Sequence, residues 1–135
     1  MRALILGCGQ VGSELAARLA KDGVEVTVLD RDEDAFLQLP EDFGGKTVIG
    51  EGLDEDVLRR AGVEGARVMV LATADDNYNL MAAQLVRARF KVPKLLVRVY
   101  DTDKAALYAG LGLTPYCPTG ETAMAMERII SAEKG

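Results

Sequence analysis

Histidine and tryptophan are both missing from the 135 residues of this chain, and only two cysteines are present. Without histidine there is no imidazole to act as general base, to ligate a metal or to relay a proton near neutral pH. Cys8 and Cys117 stand far apart and form neither a C-x-x-C pair nor a metal-ligand cluster. Isolated cysteines of this kind read as small buried hydrophobes in a reducing compartment. A basic stripe is lacking too. The 16 Lys and Arg face 21 Asp and Glu, a formal charge of −5, with the two signs interspersed. That argues against nucleic acid as the main ligand, because binding a phosphate backbone needs clustered cations. No uninterrupted apolar run approaches the ~20 residues of a membrane-crossing helix, so no direct membrane insertion is expected. The opening MRALIL carries one arginine and runs into a strand-like segment without a small-residue cleavage site, unlike a secretory signal. A cytoplasmic protein is expected.

What is present is globular in character: 49% of residues are apolar and 27% charged, enough to bury a core around one domain spanning residues 1–135. Short β-branched or Leu-rich runs predict strands at 3–6, 24–29, 47–50, 67–72 and 94–99, with a short final one at 114–117. Their near-continuous apolar character predicts cover on both faces, as in a parallel sheet. Between them, helices are predicted over 11–21, with Gly23 as a stop, and over 54–61, 76–90, 103–111 and 119–132. The long helix over 76–90 is expected to turn Leu80, Met81, Gln84, Leu85 and Ala88 to one side. This alternation predicts a doubly wound, Rossmann-like α/β fold with a parallel sheet in the order 3-2-1-4-5-6.

Gly7, Gly9 and Gly12 make G-x-G-x-x-G, directly after a strand and opening a helix. In that context the first glycine permits a tight turn, the second lets the backbone approach a pyrophosphate, and the third lets helix and strand pack closely. Cys8, Gln10 and Val11 complete the loop, whose first-turn amides and helix dipole favour an anion. Asp30 ends the second strand, where a carboxylate accepts from a ribose diol and repels a 2′-phosphate, so NADP is disfavoured. Arg31 follows, and either lies along an adenine, reaches a phosphate or is simply solvated.

A dehydrogenase needs a second region to hold its substrate beside the cofactor, and about a hundred residues after the loop leave little for one. Asp54, Glu55 and Asp56, and again Asp75 and Asp76, read as helix-start clusters rather than catalytic acids. No catalytic residue is expected, and the ligand reads as a signal more than a reagent. A small NAD-dependent oxidoreductase, or its cofactor-binding subunit, is the alternative.

Three stretches, GCGQVGSELAARLAKDGVEVTVLDRD, VIGEGLDEDVLRRAGVEGARVMVLATADDNYNL and LLVRVYD, together resemble the potassium-transport nucleotide-binding domains, known as RCK, KTN or TrkA-N domains. The resemblance covers nearly the whole chain and is with the N-terminal domain of that family alone. It implies a cytoplasmic regulatory subunit or domain of a membrane-embedded potassium channel or transporter, at the inner face of the membrane. It implies binding of NAD(H) or an adenine nucleotide (ATP, ADP or AMP) and assembly as a homodimer or larger ring. Carried over by position, it assigns to the nucleotide site the loop Gly7 to Gly12 and Asp30, then Glu51 with Gly52. It adds Thr73, Ala74, Asp76 and Asn79 after the fourth strand, and Arg98 on the fifth. From burial alone, an arginine interrupting LLVRV calls for a phosphate or an interfacial carboxylate. Asn79 faces either the pocket or solvent. Glu51 departs from the family's usual aspartate, and Glu121 lies farther along than the family's metal-linked glutamate, so no metal is assigned. Ala123, Met124, Met126, Ile129 and Ile130 give the last helix an apolar face suited either to a partner subunit or to its own core.

Overall fold

Six strands, all parallel, form one sheet in the order β3-β2-β1-β4-β5-β6 in a computed structural model that describes residues 1–134. They are β1 (Arg2–Leu6), β2 (Glu25–Asp30), β3 (Lys46–Ile49), β4 (Val68–Leu71), β5 (Lys94–Arg98) and β6 (Thr114–Tyr116). The helices are α1 (Gln10–Lys21), α2 (Glu55–Arg60), α3 (Asp76–Arg89), α4 (Thr102–Gly110) and α5 (Pro118–Lys134). This is the expected strand order, with boundaries shifted by a residue or two. Two 3-10 turns, Glu33–Gln38 and Val63–Gly65, have no counterpart in the apolar pattern.

The central strand β1 shows why the sheet is sandwiched. Successive side chains alternate between faces, so Leu4 and Leu6 enter one core with Leu29, Leu58, Met69, Leu71 and Val97. Ile5 enters the other with Ala16, Val26, Val28 and Val70. Helices α2, α3 and α4 cover the first core; α1 and the 3-10 turn at Glu33–Gln38 cover the second. Each fully buried Leu or Ile contributes roughly 1.5–3 kcal/mol relative to exposure.

Aspartates start three of these helices. Asp54 accepts from the Asp56 and Val57 amides, Asp75 from those of Asn77 and Tyr78, and Asp101 from that of Asp103. Each cap satisfies donors that the helix itself cannot pair.

The side of α3 that carries Leu80, Met81, Gln84, Leu85 and Ala88 is not the side that packs most closely on the sheet. Asn79, Ala82, Ala83 and Val86 are buried, whereas Met81, Gln84 and Ala88 are exposed. Small residues allow α3 to sit close on the sheet, and the larger Leu80 and Leu85 flank the contact rather than make its centre. At the far end, α5 stands off the rest of the chain: Ile129 is 70% and Ile130 61% exposed, so neither packs into its own core. No helix among the described residues is long and apolar enough to cross a membrane.

Candidate functional site

At the carboxyl end of β1 the chain turns sharply at Gly7, whose φ of 105° suits glycine. The three loop glycines have different physical reasons. A Cβ on Gly7 would stand 2.9 Å from the Thr73 amide nitrogen, and one on Gly12 would stand 1.8 Å from the Gly7 carbonyl oxygen. Those two are required by packing. A Cβ on Gly9 would meet nothing within 4 Å, and its φ of −82° suits any residue. The fold itself therefore gives no reason for the missing side chain at Gly9, which opens space beside the start of α1.

That helix start differs from its capped neighbours. Gly9 is the N-cap of α1 and supplies no side chain, so the first-turn amides remain available to an anion. Asp30 stands beside them. Its Oδ2 accepts from the Cys8 amide at 2.8 Å and its Oδ1 from the Asp32 amide at 2.9 Å. A carboxylate has about four acceptor positions, so each oxygen keeps capacity for a ligand hydroxyl while the acid fixes the loop to β2. The Gln38 side-chain amide donates to the Cys8 carbonyl at 3.2 Å, closing the loop from below.

Burial pushes the Cys8 thiol up to about 11, and the adjacent Asp30 charge adds to the shift. Below its ordinary value of 9.0 both folded and unfolded chains keep the proton; above it the unfolded chain releases the proton first. Folding stability is therefore expected to fall as pH rises from 9 toward 11. Tyr78 and Tyr108, both raised mainly by burial, act in the same sense at still higher pH. Urea melts at stepped pH check this: the alkaline decline should lessen in Cys8→Ala, and an unchanged decline would contradict the assignment.

A cleft of about 600 Å³ opens over the carboxyl ends of the central strands, within the roughly 300–1,000 Å³ usual for cofactor sites. Of the residues expected from sequence, Gly7, Cys8, Gly9, Gln10, Val11, Asp30, Arg31, Thr73, Ala74 and Arg98 line it. Asp32, Ala35, Gln38, Asp75, Tyr78 and Tyr100 line it as well and were not anticipated.

Gly12, Glu51, Gly52, Asp76 and Asn79 lie outside the wall itself, each with a visible task. Gly12 packs α1 on the loop. Glu51 and Gly52 back the wall through Tyr78, whose hydroxyl accepts from the Gly52 amide at 2.7 Å and donates to Glu51 Oε2 at 2.9 Å. Arg31 joins this group, 3.9 Å from Glu51 and 5.6 Å from the Tyr78 ring centre. Asp76 Oδ2 accepts from the Tyr100 amide at 3.0 Å. Asn79 is fully buried and faces neither pocket nor solvent: its Oδ1 accepts from the Thr73 amide and hydroxyl, and its Nδ2 donates to the Thr73 and Arg98 carbonyls. It ties the end of β4 to the end of β5.

Arg98 makes no salt bridge among the described residues. Its Nε is buried without an acceptor, and its guanidinium lies 4.6 Å from the Tyr100 ring centre. Among the described residues no three His, Cys, Asp or Glu side chains converge as a metal-binding group, and Glu121 is an exposed residue of the first turn of α5.

A doubly wound parallel sheet with a glycine loop after β1 and an acid at the end of β2 defines a Rossmann-type domain of the nucleotide-binding class. Within that class the chain belongs to the TrkA-N domain family, whose model matches residues 3–116. It is 41% identical over 128 residues to the Trk system potassium uptake protein TrkA of Streptomyces coelicolor, an alignment covering 95% of this chain and 57% of that protein. The chain thus spans little more than half the length of that relative. The TrkA-N domain of the inner membrane protein ybaL from Escherichia coli superposes with a TM-score of 0.84 at 22% identity, over 95% of both chains. An AMP-bound Kef C-terminal domain from Shewanella denitrificans gives 0.81 at 22% identity, over 100% of this chain and 82% of that one. At these identities the two structures establish likeness of fold.

Proposed function

We propose that the chain is the nucleotide-sensing part of a cytoplasmic regulator of a membrane-embedded potassium transporter or channel, binding NAD(H) or an adenine mononucleotide in the cleft. The observation that carries this reading is Gly9: open space at an uncapped helix start, close to an acid that already holds the loop, is the provision a pyrophosphate needs. The kinship with a potassium uptake protein supplies the process, and the AMP in the Kef domain supports the ligand class. In this reading the ligand is not consumed. It shifts the balance between two assembly geometries by binding one more tightly, and the uncovered face of α5 gives a homodimer or ring an apolar surface.

Calorimetric titration with NAD+, NADH, NADP+, AMP, ADP and ATP tests the reading. At least one nucleotide without a 2′-phosphate should bind, with NADP+ at least roughly tenfold weaker than NAD+, given Asp30 and Asp32 at that end of the cleft. Asp30→Ala should weaken binding roughly a hundredfold through two lost charge-assisted hydrogen bonds. Heat traces indistinguishable from buffer for every nucleotide would end the proposal.

A further inference from the structure

The two signs of charge are interspersed along most of the sequence, and folding sorts them. In an all-parallel sheet each connecting helix leaves the carboxyl end of one strand and returns to the amino end of the next. Aspartates therefore gather at one end, where Asp54, Asp75 and Asp101 start their helices. At the other end Arg87 and Arg89 occupy the last turn of α3. The helix dipole favours both placements. It does not account for Arg67, Lys91 and Lys94, which lie outside any helix at the starts of β4 and β5.

Arg67, Arg87, Arg89, Lys91 and Lys94 are all exposed. Residues 87–94 hold four of these five cations and no acid. Val68 pairs with Lys94, so the cations before β4 and on β5 stand on neighbouring strands, about 4.8 Å apart. Arg87 donates to the Gly112 carbonyl at 3.5 Å, which carries the patch toward the start of β6. Only Arg89 has an ionic partner among the described residues, Glu55 at 3.4 Å. Of the acids at this end, Glu25 is taken by Arg2 at 3.4 Å, Asp22 lies toward the β2 edge, and Glu64 precedes β4. Pro93 and the half-buried Phe90 and Val92 add apolar surface among the cations. The acids of the cleft are remote. A strand of five residues such as β1 is about 17 Å long, whereas charge is screened over about 8–10 Å at physiological salt. A surface that meets the amino ends of the strands thus feels a cationic face, although the chain as a whole carries −5.

We propose that this face, Arg67 with the Arg87–Lys94 segment, docks on anionic phospholipid headgroups at the inner surface of the membrane. The inference rests on the membrane setting of the proposed function, and its test involves no nucleotide, so the two readings fail separately. Cytoplasmic loops of membrane proteins carry an excess of Lys and Arg, and such loops would be repelled here. Headgroup phosphates supply the opposite charge on a broad surface, which suits cations spread over several strand starts. Docked in this way, the domain keeps its acidic cleft end turned away from the anionic surface.

The test is co-sedimentation of the chain with vesicles of phosphatidylglycerol and phosphatidylcholine in equal parts, against vesicles of phosphatidylcholine alone. At about 0.1 M salt the anionic vesicles should bind at least roughly tenfold more protein, and at about 1 M, where the screening length is about 3 Å, the excess should vanish. Lys94→Glu should lower binding at least roughly tenfold, since each cation near an anionic surface gives about a fivefold gain and the change also adds an opposing charge. Lys104→Glu alters net charge equally in the first turn of α4, at the cleft end, and should leave binding within about twofold. Thermal melts check that both variants fold; if Lys94→Glu melts early, Lys91→Glu, in the turn before β5, carries the same expectation. Sedimentation no greater with anionic than with neutral vesicles overturns the inference. Equal weakening by the substitutions at the two ends overturns it too, since net charge rather than this face is then the cause. Retention on immobilised polyglutamate without vesicle binding replaces the lipid with an acidic protein segment and also overturns it.

Discussion

Gly12→Ala is expected to lose a large part of the folding stability, while Gly9→Ala, three residues earlier in the same loop, folds normally and binds nucleotide more weakly. The difference lies in what a methyl group would meet. At Gly12 it would sit 1.8 Å from the Gly7 carbonyl oxygen, so α1 would have to retreat from β1 by more than an ångström. Gly7 is itself pinned, its amide donating to the Leu29 carbonyl at 2.9 Å, and cannot give way. Overpacking against fixed backbone costs on the order of 3 kcal/mol, a large part of the roughly 5–15 kcal/mol that holds a domain together. At Gly9 the same methyl group meets open space in an ordinary backbone conformation. Removing glycine there stabilises by about 0.4–1 kcal/mol through the unfolded chain, yet it fills the space assigned to the pyrophosphate. Urea denaturation and nucleotide titration of both variants check the pair. Gly9→Ala should match or slightly exceed the parent in stability and bind nucleotide at least roughly tenfold more weakly. Unchanged affinity would reduce the loop to a packing device.

Asn79→Ala is expected to destabilise the fold by about 3 kcal/mol, an unusual amount for a polar residue in a helix. Asn79 is fully buried, and its amide group serves the Thr73 amide and hydroxyl together with the Thr73 and Arg98 carbonyls. Truncation removes all of these contacts, at about 1–3 kcal/mol for each group left buried and unsatisfied. Asn79→Asp should be no better at neutral pH. It keeps the acceptor for Thr73 but turns a charged oxygen toward two carbonyls, and burial raises the pKa of the introduced carboxyl. Because that carboxyl then titrates higher in the folded chain than in the unfolded one, stability recovers as pH falls through the raised value and a donor hydrogen returns. Urea midpoints at neutral and mildly acidic pH separate the two variants, and faster hydrogen exchange at the Thr73 amide should accompany both. Losses below about 1 kcal/mol would mean that water or repacking replaces the clamp.

These residues also show what could be read from the sequence. The strands were legible because a strand covered on both faces is apolar along its length, as β1 and β4 largely are. The loop glycines and Asp30 were legible because they are close together in the chain and tied to strand ends. The role of Asn79 was not, since nothing in its polarity distinguishes a clamp between two strand ends from a ligand contact. The packed face of α3 was not legible for a related reason: residue size marks apolarity, but close approach to the sheet selects alanines. The unanticipated part of the cleft depends on distant contacts. Gln38 reaches the Cys8 carbonyl across 30 positions, and Tyr78 reaches Glu51 across 27. Neither leaves a periodic trace.

The geometry of α5 has a mechanical consequence. Its root lies close to the cleft, for the Cys117 thiol just before it donates to the Tyr100 carbonyl at 3.4 Å. From there the helix runs 17 residues, a rod of about 25 Å. For a rod of that length, a tilt of about 5° at the root swings the far end through about 2 Å. The helix thus has the geometry of a lever arm with its fulcrum at the edge of the cleft.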